Sequence, residues 1–257
     1  MSHWYAKDGS PKHFEAPNRK PTSLREARKS NGWVPSVTTI LNVVSKPALT
    51  NWIAEEAAMT AAEELFDAEW TLPQFNTVSS KYLPTDRQWA RGVCARSREK
   101  TMAKADAGTA IHNILEDYFK GEQPQPCNQE LCESVWAMLV DKCGLQKWIP
   151  EATVVNIEMG YGGKCDLHSK EWVVDFKTKD EVNEKTRGYG EQAAQLAAYA
   201  HGLGLGHART ANLFISRSDG ALQWFEHKDT MAWERFKAAL MLWQVTKKYG
   251  PLYEAIK

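Results

Sequence analysis

The sequence predicts a mixed α+β fold: a mixed β-sheet flanked by helices, with a helical N-terminal region ahead of it. Three observations carry this. Residues 35–148 are dominated by helical spacing and by runs rich in Ala, Glu, Arg and Leu. Between 152 and 179 the character changes to short segments rich in β-branched residues. Beyond 188 a helical segment, two strands and a closing amphipathic helix follow. The order βββ, α, ββ, α is that of a sheet covered by helices.

Taken along the chain, residues 1–34 hold Pro11, Pro17 and Pro21 and a surplus of lysine and arginine, and read as an extended polar arm. "PSVTTILNVVSKPALTNWIAEEAAMTAAEELFDAEW" (35–70) is helical, with Pro35 and Ser36 as its start signal. Its acids, Glu55, Glu56, Glu63, Glu64, Asp67 and Glu69, form a solvated acidic face. After a loop at 71–86, residues 86–121 read as one or two helices stopping at Gly121, and 128–148 as a third. Residues 35–105 therefore form a helical region and 106–257 the core. Within the core, 152–163, 164–169 and 171–179 read as a three-stranded meander, divided by Gly162-Gly163 and by a tight polar turn. "GYGEQAAQLAAYAHGLGLG" (188–206) is helical, 208–218 and 221–227 are strands joined around Asp219-Gly220, and 229–250 is the closing helix.

Composition narrows the function classes. With 43% hydrophobic and 25% charged residues the chain is globular rather than disordered. Its 32 basic and 32 acidic residues cancel, so a nucleic-acid partner must be sought in local clusters. The eleven tryptophans suit a core or base stacking. Five cysteines without a CxxC pair suggest neither a disulfide framework nor a zinc ribbon. The first residues lack an apolar signal region, and no stretch approaches the roughly 18 apolar residues of a membrane span. The expectation is an intracellular, reducing, cytoplasmic location with no membrane partner.

The segment "GGKCDLHSKEWVVDFKTKD" (162–180) carries the chemistry. Side chains alternate along a strand, so Asp175 and Lys177 share one face while Val174 and Phe176 point to the other. A turn centred on Ser169-Lys170 places Asp166 opposite Val173, diagonal to Asp175. Two carboxylates repel unless a divalent cation lies between them, and Mg²⁺ or Mn²⁺ suits such ligands. A lysine beside the cation orients water and balances charge in phosphoryl transfer. An exposed Asp/Lys ladder on a plain hairpin is the alternative. In "GTAIHNILED" (108–117), His112 and Glu116 share a helix face beside an apolar stripe; in "EQAAQLAAYAHG" (191–202), Gln195 and Tyr199 do the same, with Gln192 close to that face.

As a set, "GTAIHNILE", "GGKCD" with "DFK", and "QLAAY" resemble the PD-(D/E)xK nuclease superfamily, and within it the RecB-type exonuclease branch. The match covers about residues 106–200. "PSVTTILNVVSKPALTNW" is also similar to the segment ahead of this core in phage-encoded and mitochondrial genome-maintenance exonucleases. The resemblance implies a restriction-endonuclease-like core. It implies Mg²⁺ or Mn²⁺ held by Asp166, Asp175 and the Phe176 carbonyl, with His112 as ligand or near-ligand. Lys177 would activate water, Glu116 hold a second metal or its water, and Gln195 and Tyr199 contact DNA or brace the site. Cys165 stands where the family's nominal proline would be. No cysteine follows Tyr199, so the iron–sulfur cluster of some branch members cannot form.

The approach to the His112 helix is basic. Residues 81–104 hold Lys81, Arg87, Arg91, Arg96, Arg98, Lys100 and Lys104 against Asp86 and Glu99, with Trp89 available for stacking. Such a stretch tracks phosphates of a single strand, unless nearby acids neutralise it. The expectation is a metal-dependent exonuclease acting on single-stranded DNA ends or flaps in replication, recombination or repair. The helical region would form a wall or arch that guides the strand, and replication or recombination proteins would be its partners, in a host cytoplasm if the protein is phage-encoded. A structure-selective or double-strand endonuclease on the same core is one rival. A catalytically silent nucleic-acid-binding module is another, against which the complete set His112, Asp166, Asp175 and Lys177 speaks.

Overall fold

The computed structural model describes the backbone of all residues except 1–2, 16–19, 31, 45–46, 68–74, 77–80 and 83, and the side chains of the remainder except 15, 47–48, 64–67, 75–76, 81–82 and 84–87. The chain divides into two units: Met1–Val44 with Ala110–Lys257, and Ser45–Thr109. The first begins with β1 (Trp4–Tyr5), β2 (Phe14–Glu15), β3 (Lys20–Pro21), α1 (Leu24–Lys29), β4 (Val34–Pro35) and α2 (Val37–Leu41). The second holds α3 (Pro47–Asp67), β5 (Phe75–Asn76), β6 (Lys81–Tyr82) and α4 (Pro84–Phe119) up to Thr109. The remaining elements belong to the first unit: α5 (Pro126–Cys143), β7 (Ile149–Asn156), β8 (Tyr161–His168), β9 (Trp172–Lys179), α6 (Gly190–Gly202), β10 (Arg209–Ser216), β11 (Leu222–His227), α7 (Ala232–Lys247) and α8 (Pro251–Ile256). Among the described residues no helix is long and apolar enough to cross a membrane.

The fold is mixed α+β, as predicted, around a five-stranded sheet of order β11-β10-β9-β8-β7. β9 pairs parallel with β10, and α6 lies between them in the chain; the other neighbours are antiparallel. Its first five residues, Trp172 to Phe176, are all buried, because a central strand covered on both faces needs a continuous apolar run. One face packs Val173 and Cys165 against α6 and α7 through Ala194, Leu196, Tyr199, Phe236 and Leu240. The other packs Leu167, Val174, Phe176 and Leu213 against Leu115 of α4 and against Val135 and Leu139 of α5.

Three boundaries differ from the sequence reading. The first concerns the N-terminal segment, which is not an extended arm. Trp4 is 1% exposed and joins the α6–α7 core, with its ring edge-on to Trp243 at 6.1 Å and to Tyr249 at 5.5 Å. Ser23 and Glu26 cap α1, each side chain accepting the other residue's backbone N–H. Prolines and lysines obscured an anchor of one aromatic residue. Residues 35–44 likewise belong to the core unit, so the helical region begins at 45 and ends at 109 rather than at 105. The helical stretch expected over 35–70 comprises two helices, α2 and α3, with Pro47 opening the second, and its residues 45–46 and 68–70 lie outside the described residues.

The second difference is Gly162-Gly163. These glycines lie inside β8, and the turn falls at 157–160. They are there for contact, not for turning: a Cβ on Gly163 would stand 2.5 Å from Tyr199 Cε1, and one on Gly162 would stand 3.1 Å from Tyr5 Cβ. The third is the helix expected over 128–148, which stops at Cys143. Gly144 caps it at φ 70°, and β7 starts at Ile149.

A docked N terminus has a measurable consequence. Trp4→Ala should destabilise the protein by about 3–5 kcal/mol in chemical denaturation, the usual range for emptying a buried tryptophan site. A loss below about 0.5 kcal/mol is what a solvated arm would give.

Candidate metal centre

The site forms where the β8–β9 hairpin opens. Ser169 N–H donates to Trp172 O at 2.8 Å, and Ser169 Oγ accepts from the N–H groups of Glu171 and Trp172, so the turn centres on Lys170-Glu171. This is one residue later than expected. Above it only His168↔Val173 and Leu167↔Val174 are paired, a register that carries Asp166 toward Asp175 rather than toward Val173. Beyond that point the N–H of Phe176 donates to the Asp166 side chain, at 2.8 Å to Oδ2.

Asp166 is turned toward the site by a break in the strand. Cys165 belongs to the α6–α7 core and Leu167 to the α4–α5 core, so the alternation of faces fails between them. On β7 the pairs Pro150↔Leu167 and Ala152↔Cys165 leave Glu151 across from Asp166, and Glu151 has φ 54°. A left-handed non-glycine residue carries strain of order 1–3 kcal/mol and gathers at functional sites.

Helix α4 meets β8 in step. Four residues of helix rise about 6 Å and two of strand about 6.6 Å, so His112 and Glu116 face Asp166 and Lys164 in turn. His112 Nδ1 lies 3.3 Å from Asp166 Oδ2, and Glu116 Oε2 lies 3.8 Å from Lys164 Nζ. Lys164 also pairs with Glu151, and Lys120 with Glu116. Glu116 is thus held between two lysines rather than beside Asp166. Burial pulls the His112 imidazole down, but the hydrogen bond and charge of Asp166, with Asp175 behind, leave its pKa raised.

Asp175 is the buried member, 3% exposed. Its Oδ2 receives Lys177 Nζ at 2.6 Å and Asn212 Nδ2 at 2.8 Å. Burial raises its pKa from 3.8 to about 6, against the pull of Lys177, and the Asp166 charge adds to the rise. Burial alone would lower Lys177, but Asp175 and Asp166 outweigh it and keep the ammonium raised. Asp175 and Lys177 do share a face, as predicted, while Val174 and Phe176 enter the opposite core.

Gln195 and Tyr199 stand over this face from α6. Gln195 Nε2 donates to Tyr199 OH at 3.0 Å, both side chains are buried, and burial together with the Asp175 charge raises the Tyr199 phenol well above its ordinary value. Their place fits bracing of the site. Gln192 is engaged at the helix start, where Oε1 accepts from Tyr189 N–H at 2.8 Å.

The donors fit a hard divalent cation. Both carboxylates have Oδ2 committed to protein donors, and among the described residues none hydrogen-bonds to either Oδ1. The raised Asp175 shows a buried charge that Lys177 compensates only in part. His112 lies beside Asp166, although no ready group of three His, Cys, Asp or Glu ligands is gathered among the described residues.

Elsewhere, Arg91, Arg96 and Arg98 are exposed on α4 in the second unit, while the Arg87 side chain lies outside the described residues. Within that unit Lys100 and Lys104 pair with Glu63 and Glu56 of α3, so the acidic face expected to be solvated takes part of the basic stretch. Two residues escaped the sequence reading: Asn212, beside Asp175, and His227, which is bonded to Asn212. Asn212 had the same signal as Asp175, a polar residue inside an apolar strand run, "TANLFIS".

No family model matches this chain, and no curated protein matches it in sequence. The site's own geometry is therefore what bears on function.

The buried carboxylate titrates with a defined sign. A raised folded-state pKa means that the Asp175 proton stabilises the fold fully below about pH 4, and that this contribution is lost as pH rises through about 6. In EDTA, parental stability minus that of Asp175→Asn should fall between pH 4 and 6 and level off above, as followed by thermal melts. A difference that stays flat across this window would contradict the burial assigned to Asp175.

Proposed function

We propose that the protein is a metal-dependent DNA nuclease of RecB type with a restriction-endonuclease-like core, acting as an exonuclease on single-stranded ends or flaps. One observation carries this reading: Asp166, Asp175 and Lys177 converge where the hairpin opens, each carboxylate held at Oδ2, with neither Oδ1 hydrogen-bonded among the described residues. Mg²⁺ or Mn²⁺ bound by Asp166 and Asp175, with the Phe176 carbonyl and His112 beside them, would supply Lewis-acid charge to a scissile phosphate.

The chain's own groups do the rest. His112 and the Phe176 N–H fix Asp166. Lys177, kept protonated by the two carboxylates, orients the attacking water and balances charge that builds on the phosphoryl oxygens. Gln195 and Tyr199 close the α6 side of the site. Arg91 and Arg98, seven residues apart and exposed on one helix face, offer phosphate contacts without base readout. An intracellular role in replication, recombination or repair accords with five cysteines that form no disulfide-like pattern.

End-labelled single-stranded oligonucleotides with Mg²⁺ or Mn²⁺ test the activity. Cleavage should require the metal, be abolished by EDTA and be lost in Asp175→Asn. Lys177→Ala should slow single-turnover chemistry by about 10²–10³-fold, the range for one transition-state donor, with metal affinity little changed. A collapse of metal affinity with intact chemistry would make Lys177 structural. Covalently closed single-stranded circles should resist; their degradation at the rate of linear strands would favour the endonuclease reading. DNA binding that is equal with EDTA, without turnover in Mn²⁺, would favour a silent binding module.

The strand path has its own test. Neutralising Arg91 and Arg98 together should weaken single-strand binding evenly across sequences and flatten the salt slope by about 1.4, near 0.7 per phosphate contact. An unchanged slope would place the strand elsewhere.

A further inference from the structure

Asn212 and His227 have no part in the chemistry above, and an isolated amide in a strand core has no apolar reason to be there. Asn212 is 0% exposed in β10, between Ala211 and Leu213 of the α4–α5 core, so its own side chain lies on the opposite, α6 face beside Asp175. A buried amide is tolerated only when both of its ends are bonded. Nδ2 donates to Asp175 twice, at 3.2 Å to the main-chain carbonyl and at 2.8 Å to Oδ2, and Oδ1 lies 2.7 Å from His227 Nε2. Both Asp175 atoms are acceptors, so the amide nitrogen must face them and the oxygen must face the imidazole. His227 must then carry its proton on Nε2 and donate it.

We propose that Asn212 is a positioning residue of the metal site, set in turn by His227, which pins Asp175 through Oδ2 so that Oδ1 alone faces the cation. The proposal rests on the reading of Asp166 and Asp175 as metal ligands. Its physical content lies in the two-point grip. A carboxylate turns about two torsions, and a flexible lysine tip at one oxygen leaves that rotation soft. A donor held simultaneously on the same residue's main-chain carbonyl ties the carboxylate plane to the strand itself. Asp166 is held the same way at its own Oδ2, by the Phe176 N–H and His112. Two carboxylates that each offer one oxygen suit a cation of octahedral demand that keeps several waters, and not the bidentate shell of Ca²⁺.

His227 is itself locked. Its ring stands edge-on to Phe225 at 5.0 Å, and a Cβ on Gly188 would come within 2.5 Å of its Cε1, so the glycine is what lets the imidazole lie there. Orientation therefore passes from a packed ring to an amide to the ligand, in the manner of outer-shell partners whose loss lowers metal affinity by about 10–100-fold.

Calorimetric titration of the full-length protein with Mn²⁺, without DNA, tests this. Parental protein should bind and Asp175→Asn should not; if both bind alike or neither binds, the metal reading fails and takes this proposal with it. Given that control, Asn212→Ala, verified as folded by circular dichroism, should bind Mn²⁺ about 10–100-fold more weakly. Parental affinity in that variant overturns the proposal and leaves the metal reading standing. His227→Gln keeps a donor for Asn212 Oδ1 and should retain affinity close to parental, whereas His227→Ala should lose several-fold. Equal affinities in the two His227 variants would overturn the relay, and this pair decides the matter if Asn212→Ala does not fold.

Discussion

The constraint on which the rest of the site depends is the burial of one carboxylate in the middle strand of the sheet. Asp175 lies between Val174 and Phe176 with both sheet faces covered by helices, and there an ionised oxygen has little water to replace what it lost on folding. The Asp166 charge deepens that deficit, and the other polar neighbours answer it. Lys177 brings a positive charge, Asn212 an N–H donation to Oδ2 and a second to the main-chain carbonyl of Asp175, and α6 a hydrogen-bonded Gln195–Tyr199 pair. The small residues follow from the same crowding: Gly163 leaves room for the Tyr199 ring, and the alanines of α6 let the helix lie low on the sheet.

Much of this was legible in the sequence, because its signals were local. A charge inside an apolar run, with a lysine two positions on, fixes which face they share. A histidine and a glutamate four apart on a helix that also carries an apolar stripe fix that face too. The strand and helix order of the core could be read for the same reason. What the sequence misplaced depends on contacts distant along the chain. The turn centre moved by one residue because Ser169 caps it, and that carried Asp166 from Val173 to Asp175. Gly162-Gly163 has the composition of a turn, but Tyr5 and Tyr199, far away in sequence, are what require it. Trp4, in a stretch of prolines and lysines, shows its role only through Trp243 and Tyr249.

The break at Asp166 links local strain to the site. In an undisturbed strand, Cys165 and Leu167 would share a core and Asp166 would stand alone on the other face. Here both cores claim one of them, and Glu151 across the ladder takes a left-handed backbone. The strand thereby turns through Asp166 at the position where the hairpin opens, which frees the Phe176 N–H to hold a carboxylate instead of a carbonyl. The distortion and the missing ladder bonds are two aspects of one arrangement, and both aim an acid that a regular strand would not.

As a device for stability alone, the Asp175–Lys177 pair is costly. Taking an ion out of water costs several kcal/mol, a cost borne in full by buried Asp175 and in part by Lys177, whose side chain is 29% exposed. Well-packed apolar residues in place of a buried pair are often neutral or stabilising by about 1–4 kcal/mol. A strand of sequence WVV followed by apolar residues would pack the α6 face without Lys177, and without Asn212 and His227 to orient its partner. The chain instead keeps four polar groups in a row behind Tyr199, bonded in sequence from imidazole to amide to carboxylate to ammonium. Such a row stabilises little and orients much. It is physically sensible where the position of a single oxygen matters more than the stability of the sheet that holds it.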